Sequence, residues 1–246
     1  IDGICDREWV VVDEHGEFLS QRELPKMALI ETRLTATTLR LKAPGMLQLE
    51  VPFASEGDVL NVTVWNDTVA AVTQGEVADA WFSRYLGQPC RLMRFDPEAR
   101  RLSNVRYTGA TSAPYKFADA FALLIASTAS LADLNARLGK RGIAPVGIER
   151  FRPNIVLAGI EAFEEDYLER VTIGTTELRV VKPCVRCSVP NVEPATGETP
   201  TEPGDTLALY RDNARAGGVT FGVNAIVIQG DAELRRGDAA DLTLAL

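Results

Sequence analysis

Histidine is nearly missing from this chain of 246 residues: His15 is the single one. Mechanisms that need an imidazole base therefore have one place to be built, and Glu14-His15-Gly16-Glu17 reads as a hairpin turn instead. Cysteine is scarce as well. Four thiols, two of them isolated at Cys5 and Cys90, do not make a disulfide framework. A reducing, cytoplasmic compartment suits that usage. No apolar run reaches the ~18 residues needed to span a bilayer, and no signal peptide is visible, so no membrane span is expected. Neither a G-x-x-x-x-G-K-[ST] phosphate loop nor a G-x-G-x-x-G fingerprint occurs. Positive charge is thin and scattered. The net charge is −8, and the adjacent cations are confined to the isolated pairs Arg100-Arg101, Lys140-Arg141 and Arg235-Arg236, so there is no basic stripe for nucleic acid. Lysine is short too, five against 21 arginines. Biased codon usage accounts for that most simply; the sharper reading is phosphate clamping by planar guanidinium forks.

What is present is an ordinary globular balance, 46% apolar and 24% charged, enough for one large domain or two modest ones. The first hundred residues read as short strands: Trp9 to Asp13, Phe18 to Ser20, Leu34 to Leu41, Leu47 to Val51, Val59 to Val64, Val69 to Thr73 and Arg91 to Phe95. Trp9 to Val12 already reads as a buried strand, so a first strand or hairpin is expected upstream of the sequence in hand. Val77, Trp81, Phe82 and Tyr85 recur at helical spacing, and Gly87 with Pro89 ends that run. Further on, Phe121 to Ala126 is a short apolar run. Ser130-Leu131-Ala132-Asp133 resembles a capping box, opening a helix that Gly139 closes. Asn154 to Ala158, Val171 to Ile173, Leu178 to Val181, Phe221 to Ile228 and Leu242 to Leu246 read as strands, and residues 193–205 as an exposed loop. The class is mainly β with minor α: two β-barrel units, residues 1–98 and 99–246, divided near the polar stretch Asp96 to Pro114.

Chemistry concentrates in Lys182-Pro183-Cys184-Val185-Arg186-Cys187-Ser188-Val189-Pro190. A C-x-x-C pair is half a zinc site, but the other two ligands are missing. A thioredoxin-like pair needs a following helix, and prolines bracket this one. Two readings stay open: buried inert thiols, or a thiolate ligand to a transition metal, favoured by the cations Lys182 and Arg186. In Arg150-Phe151-Arg152-Pro153-Asn154, a solvated strand start competes with an anion clamp made by Arg152 and Asn154. Asp6-Arg7 reads as a surface ion pair, and Asp119 as a turn residue or a carboxylate facing a heterocycle. Glu164-Glu165-Asp166 reads as a solvated acidic face.

Taken in order, "CDREWVVVDEHGEFLSQRELPKMALI" resembles the start of the MOSC N-terminal β-barrel domain. "LIASTASLADLNARL", "RFRPNIVLAG", "IGTTELRVVKPCVRCSVPNVEPATGE" and "FGVNAIVI" resemble the MOSC domain itself, named after the C-terminal domain of molybdenum-cofactor sulfurase. The resemblance covers nearly the whole chain and is closest to YcbX-like proteins and the mitochondrial amidoxime-reducing component. It implies a molybdenum cofactor of the molybdopterin type, with Cys187 as the thiolate on the metal and Cys184 as its neighbour. It points to Arg152 and Asn154 for the cofactor's phosphate end, to Arg7, to Arg186 as the cation beside the ligand, and by position to Asp119 and Asn224. It implies reduction of small N-hydroxylated or N-oxygenated substrates. Electrons would come from a separate ferredoxin-like or b-type-cytochrome-like protein and its reductase, because no C-x₄-C-x₂-C iron–sulfur run is present. The runner-up is a non-catalytic cofactor or sulfur carrier using Cys187 or Cys184. The family's Tyr-Pro-x-Lys-Ser segment is not in the sequence and is expected before Ile1. Pro190 and Glu193 stand where many relatives have Thr and Asp. None of the five lysines sits in a Schiff-base pattern.

Overall fold

A computed structural model of the protein describes residues 6–54 and 56–245. Cys5 lies outside them. Contacts divide the chain into two compact units, each mainly β.

The first unit comprises Ile1–Arg101, Lys116–Asp119 and Val192–Thr199. Its elements are β1 (Trp9–Asp13), β2 (Glu31–Leu34), β3 (Thr38–Lys42), β4 (Leu49–Pro52), β5 (Val59–Val64), β6 (Asp67–Thr73), α1 (Glu76–Leu86) and β7 (Cys90–Phe95). One sheet runs β1-β7-β6-β5 and a smaller one β2-β3-β4, all antiparallel. Alternation along β1 and β7 explains why the larger sheet is covered on both faces. Val11 and Leu92 turn toward Leu39, Leu41, Val51, Trp81 and Phe82. Val12 and Met93 turn toward Val62, Val69 and Phe117. Leu34 to Leu41, expected as one strand, is two strands and a turn. Thr35 Oγ1 accepts from the N–H groups of Thr37 (3.3 Å) and Thr38 (2.9 Å), a local side-chain bond that competes with the ladder. Phe18 makes only an isolated bridge to Val12.

The strap Lys116–Asp119 is fixed from below. Arg101, 5% exposed, donates to the carbonyls of Lys116 and Ala118 at 2.9 and 2.8 Å and pairs with Asp67 at 2.8 Å. Buried Glu8 is held between Arg94 and Lys116.

The second unit comprises Leu102–Tyr115, Ala120–Asn191 and Pro200–Leu246. Its elements are α2 (Val105–Thr108), β8 (Leu123–Ser127), α3 (Thr128–Lys140), β9 (Ile155–Leu157), β10 (Leu168–Ile173), β11 (Thr176–Val185), α4 (Gly204–Arg211), β12 (Asp212–Asn213), β13 (Gly218–Gln229) and β14 (Ala240–Leu244). The sheet runs β14-β10-β11-β13-β8-β9, with β12 on β13; the β8–β9 pair alone is parallel. Ile125, Leu157, Val171, Leu178, Val223 and Ala225 fill one face. Leu134 and Leu138 of α3 and Leu207 of α4 close over Phe151 and Phe221. Gly222, at φ +73°, lets β13 come against β8: a Cβ there would meet the Ile125 carbonyl oxygen at 2.6 Å.

Three expectations change here. Helix α3 opens at Thr128, capped by Ser127, whose side chain accepts from Ser130 N–H at 3.0 Å; Ser130 is inside the helix, not at its start. Residues 204–211 form α4, in a stretch read partly as loop. Glu165 is fully buried and Asp166 pairs with Arg211, so Glu164-Glu165-Asp166 is not a solvated face. Among the described residues, no helix is long and apolar enough to cross a membrane.

Candidate functional site

Strand β11 carries the C-x-x-C run to its end, and register decides its neighbours. Lys182 pairs with Asn224 of β13, and Asn224 pairs with Leu124 of β8. Asn154, just before β9, clasps the Leu124 main chain: its Oδ1 accepts from Leu124 N–H and its own N–H donates to Leu124 O, both at 2.9 Å. Asn154, Leu124, Asn224 and Lys182 thus form one row across four adjoining strand segments. Paired residues point to one face of a sheet, so the Lys182 and Asn224 side chains share theirs. Asn224 Nδ2 reaches only as far as Pro183 O, at 3.5 Å.

Beyond the row, the two thiols part company. Cys184 is half-buried, and Arg186 Nη1 lies 3.1 Å from its sulfur. Cys187 is exposed, past the end of the strand. The buried-inert reading of the pair is therefore overturned. Arg186 is fixed from its other side: Nη2 donates to Phe151 O at 3.0 Å, and its N–H donates to Val219 O at 2.8 Å. Its Nε is shielded from solvent and has no partner among the described residues. A shielded guanidinium N–H without a partner, on the arginine that contacts Cys184 and directly precedes exposed Cys187 in the chain, suits a ligand that brings acceptor oxygens or negative charge. Lys182 does not gather on the thiols as expected. Its ammonium stands over the rings of Tyr107 and Phe121, 4.8 and 5.6 Å from their centroids.

Backbone strain adds an independent mark. Among the described residues four non-glycines have positive φ: Arg7 (49°), Trp65 (59°), Arg152 (54°) and Phe163 (64°). Such left-handed residues cost about 1–3 kcal/mol each and gather at functional sites. Arg152 caps the short 3-10 turn Ile148–Phe151, which delivers the chain into Asn154. Arg7 and Asp119 belong to the first unit. Arg7 pairs with Asp6 and its carbonyl accepts from Phe117 N–H at 3.0 Å. Asp119 accepts from Trp65 Nε1 at 3.1 Å, and Arg22 lies over the same indole at 4.2 Å. Arg152, Asn154, Arg186, Cys187 and Asn224 belong to the second unit.

Two features escaped sequence reasoning. The Tyr107–Phe121 shelf under Lys182 joins residues far apart in the chain, with no spacing signal. Arg150 is 5% exposed and donates to the carbonyls of Pro190, Asn191 and Glu202, so it braces loops; the arginine-rich composition was the only hint. Among the described residues, no three of His, Cys, Asp or Glu gather to hold a bare metal ion.

Comparison with known proteins matches residues 2–89 to the MOSC N-terminal beta barrel domain and residues 112–241 to the MOSC domain. The chain is 33% identical to the mitochondrial amidoxime-reducing component 1 of Xenopus laevis, over 85% of this chain and 62% of that protein. It is 35% identical to the mitochondrial amidoxime reducing component 2 of Rattus norvegicus, over 85% of this chain and 63% of that one. It is 33% identical to the molybdenum cofactor sulfurase of Danio rerio, over 89% of this chain and 28% of that protein. The chain thus spans a little over three-fifths of the amidoxime-reducing relatives and a smaller part of the sulfurase.

Proposed function

Since the chain belongs to the MOSC domain family, we propose that it binds a molybdenum cofactor of the molybdopterin type and reduces small N-hydroxylated or N-oxygenated compounds. The observation that carries this reading is the exposed Cys187, which follows in the chain on Arg186, whose guanidinium contacts Cys184 and whose shielded Nε lacks a partner among the described residues. A thiolate is the protein donor such a metal takes, and cations complement an anionic cofactor. The bound cofactor would supply the two-electron reduction chemistry. The chain's share is to hold and orient. Cys187 offers the thiol, Arg186 keeps positive charge beside the pair, and Arg152 and Asn154 stand at the mouth of β9 for the phosphate end. Arg7, Asp119 and Asn224 complete the proposed set. Electrons would come from a separate carrier protein and reductase, and a reducing, cytoplasmic compartment fits the free thiols. Residues 1–98 and 99–246 are the two domains we assign.

A second reading, a non-catalytic cofactor or sulfur carrier, draws on the Arg186–Cys184 contact. The deciding experiment is elemental analysis of protein from a cofactor-competent host. Near-stoichiometric molybdenum in the wild type, lost in Cys187→Ser, is the expected result. Turnover of an amidoxime with an artificial electron donor then separates enzyme from carrier. A metal-free wild type would sink the oxidoreductase reading.

A further inference from the structure

Lys182 is half-buried on β11, and among the described residues no hydrogen bond or carboxylate reaches its ammonium. Two rings hold it. Tyr107 and Phe121 meet edge to face at 5.8 Å and present their surfaces to the ammonium at 4.8 and 5.6 Å. The shelf is fixed: Arg179 Nη2 donates to Thr108 O at 2.6 Å and ties α2, which carries Tyr107, to β11. Ring faces replace only part of the hydration that a partly buried ammonium gives up; an anion replaces the rest. Beside Lys182 on the same face is Asn224, whose amide nitrogen makes only a 3.5 Å contact. Asn154 closes the same row.

We infer that Lys182, presented by the Tyr107–Phe121 shelf and flanked by the Asn224 amide, is a binding residue for an anionic oxygen group, a phosphate or a carboxylate. The ammonium is a compact charge with three donors, suited to a tetrahedral or planar oxyanion from any direction. The amide adds a directed N–H. Which molecule owns the anion, the cofactor through its phosphate or the substrate through a carboxylate, rests on the molybdenum reading; the anion site itself does not.

The chain has five lysines, so a ¹³C-lysine-labelled, metal-free protein gives few signals, and the ring currents of the shelf set that of Lys182 apart. Titration with inorganic phosphate moves that signal saturably. Followed instead by ³¹P line broadening of the phosphate, Tyr107→Leu weakens the binding, Lys182→Met abolishes it, and Lys182→Arg restores it. In protein from the cofactor-competent host, a fall of about tenfold in bound molybdenum and pterin phosphate in Lys182→Met assigns the anion to the cofactor. Unchanged content with a KM raised about tenfold for carboxylate-bearing N-hydroxylated substrates, and not for neutral ones, assigns it to the substrate. A Lys182 signal unmoved by phosphate in the folded wild type overturns the inference. Since that titration needs no metal, it stands or falls apart from the molybdenum reading.

Discussion

The guanidinium of Arg186 stands 3.1 Å from the sulfur of Cys184, while Cys187, the next residue along, is exposed. One thiol of the pair is engaged by the protein and the other is offered to solvent. That division sets an order of reactivity. Among the described thiols, iodoacetamide with peptide mass spectrometry will label Cys187 first and Cys184 second. Cys90 comes last, because it is 4% exposed and burial raises its thiol above the ordinary range. Labelling of Cys184 ahead of Cys187 would remove the ground for assigning Cys187 as the available ligand.

Arg152 has a left-handed backbone, at φ 54°. Glycine adopts that conformation freely and alanine does not. Arg152→Gly should therefore be more stable than Arg152→Ala by about 1 kcal/mol in urea unfolding. Both should retain less molybdenum than the wild type. If the glycine variant is the less stable of the two, the strain argument is wrong.

Asn154 has a structural duty beside its proposed one. Its Oδ1 satisfies the N–H of buried Leu124. Asn154→Ala leaves that donor unpaired and should cost about 1–3 kcal/mol by denaturant unfolding. Asn154→Asp keeps an acceptor and should recover most of the loss. Equal stability in all three proteins would mean that the clasp contributes nothing.

Tyr210 titrates late: burial, with the Asp133 carboxylate adding to it, pushes its hydroxyl up to about 12. The folded state then holds this proton more tightly than the unfolded chain, whose tyrosines titrate near ~10. Its contribution to stability is complete below pH ~10 and is lost as pH climbs toward about 12. Unfolding midpoints measured from pH 9 to 12 should fall less steeply in Tyr210→Phe; parallel curves would dismiss the effect.

Much of the fold was legible because it rests on local pattern. The β5–β6 hairpin around Asn66-Asp67, helix α1 with Gly87 as its stop, and β7 follow from alternation, helical spacing and turn chemistry. Where one hydrogen bond decides, the pattern misled: Thr35 breaks Leu34 to Leu41, and Ser127 starts α3 before the Ser130 that resembled a cap. Glu165 looked solvated because acidic residues usually are, and only tertiary packing buries it. At the candidate site, the C-x-x-C run lies at the end of β11 and the R-P-N run leads into β9, two strands of one sheet. Spacing could not say which thiol is exposed, nor that Lys182 turns to aromatic rings 75 and 61 positions away in sequence (182 − 107 and 182 − 121).

The arginine excess that looked like codon usage has a physical use in Arg101 and Arg150, each buried and spread over main-chain carbonyls of irregular segments. Segments without a ladder of their own are laced together by guanidinium forks. A denaturant that is itself guanidinium offers the same fork in molar excess to the same carbonyls, whereas urea carries no charge. Guanidinium chloride should thus loosen this protein disproportionately. Its midpoint should lie below half that of urea, the ratio that the about twofold difference in their slopes sets for most small proteins.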